Sequence, residues 1–326
     1  MAMLPESTFM KSMFPIIAVA AMATATPAFA CASCGCTLTS DWLSQGLVTQ
    51  PGTTVSIRYD DIPQTDLRTQ NSSVDRGAIT LPADREIEHY TYNHYVTATV
   101  DRQFNSEWGV NVQIPFVYRA HATIAEGDTD QSFSHNNGIG DVRITARWQG
   151  FSTPGSINGV QLGLVLPTGR INQTFRSGPQ QGEVVDRGLQ PGFGVVQAVV
   201  GYYRYGKIAK DFDYIVQLQG QAPFNSRDLY RPGISGQASA GVHYTRWRGI
   251  TPQLQLNFRA VARDTGVNSD HENSGGEQLY AAPGLIANLG GRASAFTYVQ
   301  LPVYQRVNGY QITPHYTLSV GIQYRL

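Results

Sequence analysis

The sequence predicts an all-β protein: a transmembrane antiparallel β-barrel of about twelve strands, with a short N-terminal segment that hangs in the periplasm or plugs the barrel. Three observations predict it. Apolar and polar residues alternate in stretch after stretch from residue 51 to the end. The links between those stretches are short and long by turns. An export signal precedes them all. Composition agrees, because only 15% of residues are charged, against about a quarter in soluble domains. The 24 basic and 24 acidic side chains balance, so no basic surplus points to nucleic acid as a partner.

Residues 1–30 read as a signal peptide. Lys11 leads into the apolar run Met13–Met22, and Pro27-Ala28-Phe29-Ala30 ends in an A-x-A cleavage pattern. The run is shorter than the about 20 residues a membrane-spanning helix needs. Acidic Glu6 ahead of Lys11 suggests a start at Met10, with a mature chain beginning at or near Cys31.

Residues 31–50 form a cysteine-rich segment. All three cysteines lie in Cys31-Ala32-Ser33-Cys34-Gly35-Cys36, a C-x-x-C-x-C motif in an oxidising compartment. Two readings stay open: a disulfide or thiol-redox pair that leaves one reactive thiol, and a site for Cu(I) or another thiophilic metal. Lipidation of Cys31 is a third, although Ala28 and Phe29 depart from the usual lipoprotein signal. No C-x-x-C-H is present to attach haem. No cofactor is expected beyond such a metal. A short helix is expected over Thr37–Gly46, capped by Ser40 and stopped by Gly46.

Residues 51–326 carry the barrel. Thr53–Asp60 places Val55, Ile57 and Tyr59 on one face. In His89–Asp101, Tyr92, Val96 and Val100 oppose Thr91, Asn93, Tyr95 and Thr97. Trp108–Ala120, Asp141–Gln149, Val160–Thr168, Phe212–Phe224, Gln237–Tyr244 and Gln253–Arg263 alternate in the same way. Val195–Tyr205, Leu279–Leu289 and Ala293–Tyr304 alternate less regularly, and the spacing requires strands there. Short links fall near Phe104, Pro154, Lys207, Arg248 and Gly290, and long polar loops at 61–87, 120–138, 169–193, 225–234, 264–278 and 305–313. Short periplasmic turns and long outer loops are the habit of outer-membrane barrels. The final alternating stretch Thr317–Leu326, with Tyr324 near its end, resembles the terminal strand by which barrel assembly machinery recognises its clients.

The polar faces define a lumen. Its expected lining is Gln113, Arg119, Arg143, Arg147, Gln217, Gln219, Gln221, Gln255, Arg259 and Arg263. Amides supply donors and acceptors without strong charge, and the arginines favour anions mildly. A packed polar core that fills a narrow barrel is the competing reading. Pro115, Pro167, Pro223 and Pro302 sit late in their strands and mark rims, bulges or strand ends, because proline cannot donate to the ladder. The seven histidines show no trusted metal spacing, and no G-x-S-x-G or phosphate loop is present.

Gln113-Ile114-Pro115-Phe116-Val117-Tyr118, Gly138-Ile139-Gly140-Asp141-Val142-Arg143 and Leu164-Val165-Leu166-Pro167-Thr168-Gly169 resemble the bacterial outer-membrane family labelled MetA-pathway of phenol degradation, compared with FadL-type channels. The resemblance covers most of 51–326 and implies a barrel that passes small, hydrophobic or aromatic molecules; the cysteine-rich start is outside its pattern. The expectation is therefore a non-enzymatic channel or transporter in the outer membrane of a Gram-negative bacterium. Its expected partners are outer-membrane lipid, a small solute, the barrel assembly machinery and a periplasmic thiol-redox or metal-handling protein. A barrel with metal or thiol-redox chemistry at the cysteines is the first alternative, and an outer-membrane hydrolase the second.

Overall fold

A computed structural model describes residues 51–326. The expected signal peptide, the cysteine motif and the Thr37–Gly46 helix lie outside these residues. The described chain is all β apart from two single-turn 3-10 segments. Its strands are β1 (Gly52–Gln70), β2 (Ser72–Ser73), β3 (Ile87–Gln103), β4 (Trp108–Ile124), β5 (Ser132–Ile139), β6 (Val142–Trp148), β7 (Ser156–Leu166), β8 (Gln197–Ala209), β9 (Phe212–Pro223), β10 (Ser235–Tyr244), β11 (Ile250–Val261), β12 (Gly276–Gly290), β13 (Ala293–Pro314) and β14 (Thr317–Arg325). Each pairs antiparallel with its neighbour, and β14 returns to β1 with Val55 opposite Tyr324 and Asp61 opposite Leu318. The sheet is thus closed and has no edge, so every stave finds partners on both sides.

β5 and β6 share one stave. β5 pairs with the upper half of β4 and β6 with the lower half, the break falling at Gly140-Asp141 opposite Pro115. β2 is a two-residue addition at the rim. Twelve staves remain, the number the sequence predicts. The prolines behave as their chemistry requires. Pro115 marks the break in the fourth stave, Pro302 sits at the bulge between β12 and β13, Pro223 ends β9, and Pro167 follows the last residue of β7.

The alternation decides what faces where. Leu256 is 51% exposed on the outside, and its neighbour Gln255 is 2% exposed on the inside. Ile57, Val96, Ile114, Leu162, Leu218 and Leu254 also face outward. Aromatic rings band the turn end of this exterior: Trp148 touches both Trp108 and Phe151, and Tyr244 touches both Phe212 and Trp247. Inside, the staves carry Ser56, Arg58, Asp60, Asn93, Asn111 and Asn257, all buried. This is the reverse of a soluble protein, whose apolar face is the buried one.

Three expected loops are partly or wholly strand instead. β1 runs to Gln70, β5 occupies 132–139, and β13 continues to Pro314, where residues 310–314 pair with the top of β1. Their polar composition suggests solvent, yet at this end the sheet extends as a tall rim whose backbone pairs regardless of side chain. Apolar Leu67, Ala83, Ile87, Ile124 and Ile312 meet beneath it in a small core of their own.

Candidate functional site

A cavity of about 180 Å³ lies inside the barrel, toward the end with the long loops. Staves β3 and β4 supply one wall, through Tyr95, Gln113 and Arg119. Across from them stand Gln219 and Gln221 of β9 and Arg259 of β11. Alternation puts them all on the inner face, because inward positions recur every second residue.

A third wall comes from the long segment between β7 and β8. It does not extend into solvent. Leu189 and Val195 are almost fully buried, and Gly188, Gln190, Pro191 and Phe193 line the cavity. Arg119 holds this segment inward. Its Nη1 donates to the Gly188 carbonyl at 2.9 Å, Nη2 to the Tyr95 hydroxyl at 2.7 Å, and Nε to the Asn93 side-chain oxygen at 2.5 Å. Asn136 Nδ2 donates to the Leu189 carbonyl at 3.0 Å. Gln190 braces the segment from within: Nε2 donates to the Val185 and Gln173 carbonyls, and Oε1 accepts from the Gln173 N–H. Asp141, at the break between β5 and β6, accepts from the Gly169 and Phe193 N–H groups and pins both ends of the loop. The result is a constriction rather than a free loop.

Below the cavity, toward the turns, the lumen is filled. Arg147 is only 1% exposed and makes a two-pronged ion pair with Asp101, at 2.5 and 2.9 Å. Its Nη2 also donates to Gln103, and Asn111 donates to the same Asp101. At the β1–β14 seam, Arg58 pairs with Asp60 at 2.9 Å, and Ser319 donates to that aspartate from the other strand.

The expected lumen residues therefore divide. Gln113, Arg119, Arg143, Gln219, Gln221 and Arg259 line the cavity. Arg147 lies in the packed polar layer beneath, and Gln217 is buried. Gln255 is buried and donates to Gln253 at 3.0 Å. Arg263 lies beyond the end of β11 and donates to the His271 carbonyl in the loop, so it does not line this cavity; the strand stops at Val261 and carries the side chain out of the lumen. The interior thus holds a cavity above and a packed polar layer below. Cys31, Cys34 and Cys36 lie outside the described residues.

Gln190, Pro191, Phe193 and Gln197 were not expected at the site. The signal was present for the segment: Val184-Val185 and Leu189 are apolar residues inside a stretch read as a polar loop. On the outer wall, His94 Nδ1 lies 2.8 Å from the Tyr59 hydroxyl and 3.2 Å from Asp61. Its partners are a tyrosine and a carboxylate rather than the serine a hydrolase would use, and Tyr118 and Tyr316 surround the group as an aromatic belt would.

Carboxylates gather at the loop end. Glu86, Glu88, Asp186, Asp264 and Asp270 line a small recess there. Burial pushes Asp186 up to about 6, with Asp270 adding to the shift. Glu86 is raised well above the ordinary carboxylate range by burial, with Asp186 and Glu88 beside it.

No family model matches the chain, and no curated protein matches it. Solved structures do share its fold. The COG4313 outer membrane channel from Pseudomonas putida F1 superposes with a TM-score of 0.63 at 10% identity, over 86% of this chain and 97% of that one. A Pseudomonas aeruginosa FadL homologue gives 0.43 at 8% identity, over 85% and 90%. The CymD monoaromatic hydrocarbon channel gives 0.41 at 10% identity, over 87% of this chain and 90% of that one.

Proposed function

We propose that this chain is an outer-membrane channel of a Gram-negative bacterium, and that it admits small solutes, hydrophobic or aromatic ones included. The observation that supports the proposal most is the inversion of the barrel. An apolar, aromatic-banded exterior encloses a cavity lined by amides and arginines, and an inward segment narrows that cavity. A water-soluble protein would have no use for that exterior. The name of the Pseudomonas putida relative, a channel, agrees with the reading.

In this reading the short turns are periplasmic and the long loops face outward. β1 begins at the turn end, where Gly52 pairs with Gln103, so Gly52 lies on the periplasmic side in this reading. A disulfide, or a Cu(I) site served by a periplasmic redox or metal-handling partner, is our proposal for Cys31, Cys34 and Cys36, carried by their spacing alone. Insertion by the barrel assembly machinery belongs to the same proposal.

The test is ion conductance of the refolded mature protein in planar bilayers, beside an Arg119→Ala variant. Wild type is expected to give discrete steps. The variant is expected to give larger ones, because the constriction loses its tether to Gly188 and Tyr95. A folded barrel that stays silent in both forms would overturn the channel reading.

A further inference from the structure

We propose that the cavity recognises a small carboxylate with a compact apolar body. This rests on the channel reading and names the solute class for the same cavity.

The argument begins at Arg143. Its Nη2 donates to Gln221 Oε1 at 2.6 Å, and Gln221 Nε2 donates to Gln197 Oε1 at 2.9 Å. A guanidinium has donors only. Gln221 must therefore turn its oxygen toward Arg143 and its amide nitrogen away. Gln197 must in turn offer its oxygen to Gln221. The polarity of the whole chain is imposed from its charged end, and neither amide is free to flip. The chain ends in Gln197 Nε2, a buried donor without a partner on a residue only 2% exposed that lines the cavity. A buried donor in that position is unfavourable until an acceptor arrives.

The charges around it point the same way. Arg58, Arg119, Arg143 and Arg259 line the cavity, and Asp141 is the carboxylate among the described lining residues. Asp60 offsets Arg58, and Asp141 turns its two oxygens to the backbone N–H groups of Gly169 and Phe193. The described lining thus carries more guanidinium than carboxylate, and in an enclosed site that favours an anion. Tyr95, Pro115, Val117, Val165 and Phe193 supply an apolar patch in the same cavity. An apolar cavity of roughly 150 Å³ accepts benzene. At about 180 Å³, this one has the volume for a single ring or short aliphatic body with a carboxylate attached.

Benzoate and its neutral isostere benzamide test the proposal as blockers of ion current through the refolded full mature chain. Benzoate is expected to half-block at a concentration about tenfold lower than benzamide, the worth of one charge-assisted hydrogen bond. Gln197→Leu and Arg143→Gln are each expected to remove that advantage. If either variant fails to insert, the benzoate-to-benzamide ratio in wild type still decides. Steady current with benzamide equal or superior to benzoate overturns the carboxylate proposal and leaves the channel standing. Absence of current from the folded barrel overturns both.

Discussion

Arg147 and Asp101 show what a single residue contributes inside the barrel. Both are withdrawn from solvent, and Gln103 and Asn111 complete their hydrogen bonds. Such a pair is weak evidence of added stability, because desolvation offsets most of the attraction. Breaking it is another matter, since the remaining charge is left buried without compensation. Asp101→Asn is expected to lower stability by about 3–5 kcal/mol in urea unfolding from micelles. An unchanged unfolding midpoint would show that water reaches Arg147. Gly109, opposite Arg147 in the register, belongs to the same arrangement. A Cβ there would meet the ends of Gln103 and Arg147, so the glycine leaves room for the pair.

At the scale of the element, the inward segment between β7 and β8 is the part most open to control. Its 3-10 turn, Arg187–Leu189, follows Asp186, which faces Glu86, Glu88 and Asp270, while Arg187 pairs with Asp228. Burial raises the folded pKa of Asp186 to about 6, from about 3.9 in an unfolded chain. A raised carboxylate binds a proton more readily when packed than when released. The packed segment is therefore favoured fully below about pH 4, and that advantage is lost as pH rises through about 6. Conductance is expected to be smaller at pH 5 than at pH 7.5, and Asp186→Asn to flatten the dependence. A wild-type conductance that does not change across this range would count against Asp186 as the group that titrates.

At the scale of the whole molecule, the exterior must tolerate hydrocarbon. Leu256→Arg, on the outer face of β11, is expected to cost about 2–4 kcal/mol if it lies near the bilayer midplane, and less toward either interface. Its measurement is the folded fraction in lipid vesicles, read by the shift in electrophoretic mobility between heated and unheated samples. Gln255→Leu, one residue away, reverses the other face and removes the hydrogen bond to Gln253. Equal folding of Leu256→Arg and wild type would mean that this face does not meet lipid.

Alternation was enough to determine the barrel. A strand shows its two faces every second residue, so Leu254, Leu256 and Phe258 against Gln255, Asn257 and Arg259 declare an outside and an inside before any partner is known. Link lengths then set the number of staves and the end at which the loops lie. The same alternation cannot tell how high along a stave a residue sits or what crosses the lumen. That is why Gln113 and Arg147, both inward and polar, were legible as lumen residues, but not as cavity wall and packed layer. Rim strands such as β5 were hidden because backbone pairing there does not require an apolar face. The inward path of residues 167–196 was decided only in three dimensions: Arg119 is distant in sequence from Gly188, and their hydrogen bond exists only once closure brings β4 and that segment to the same side of the lumen.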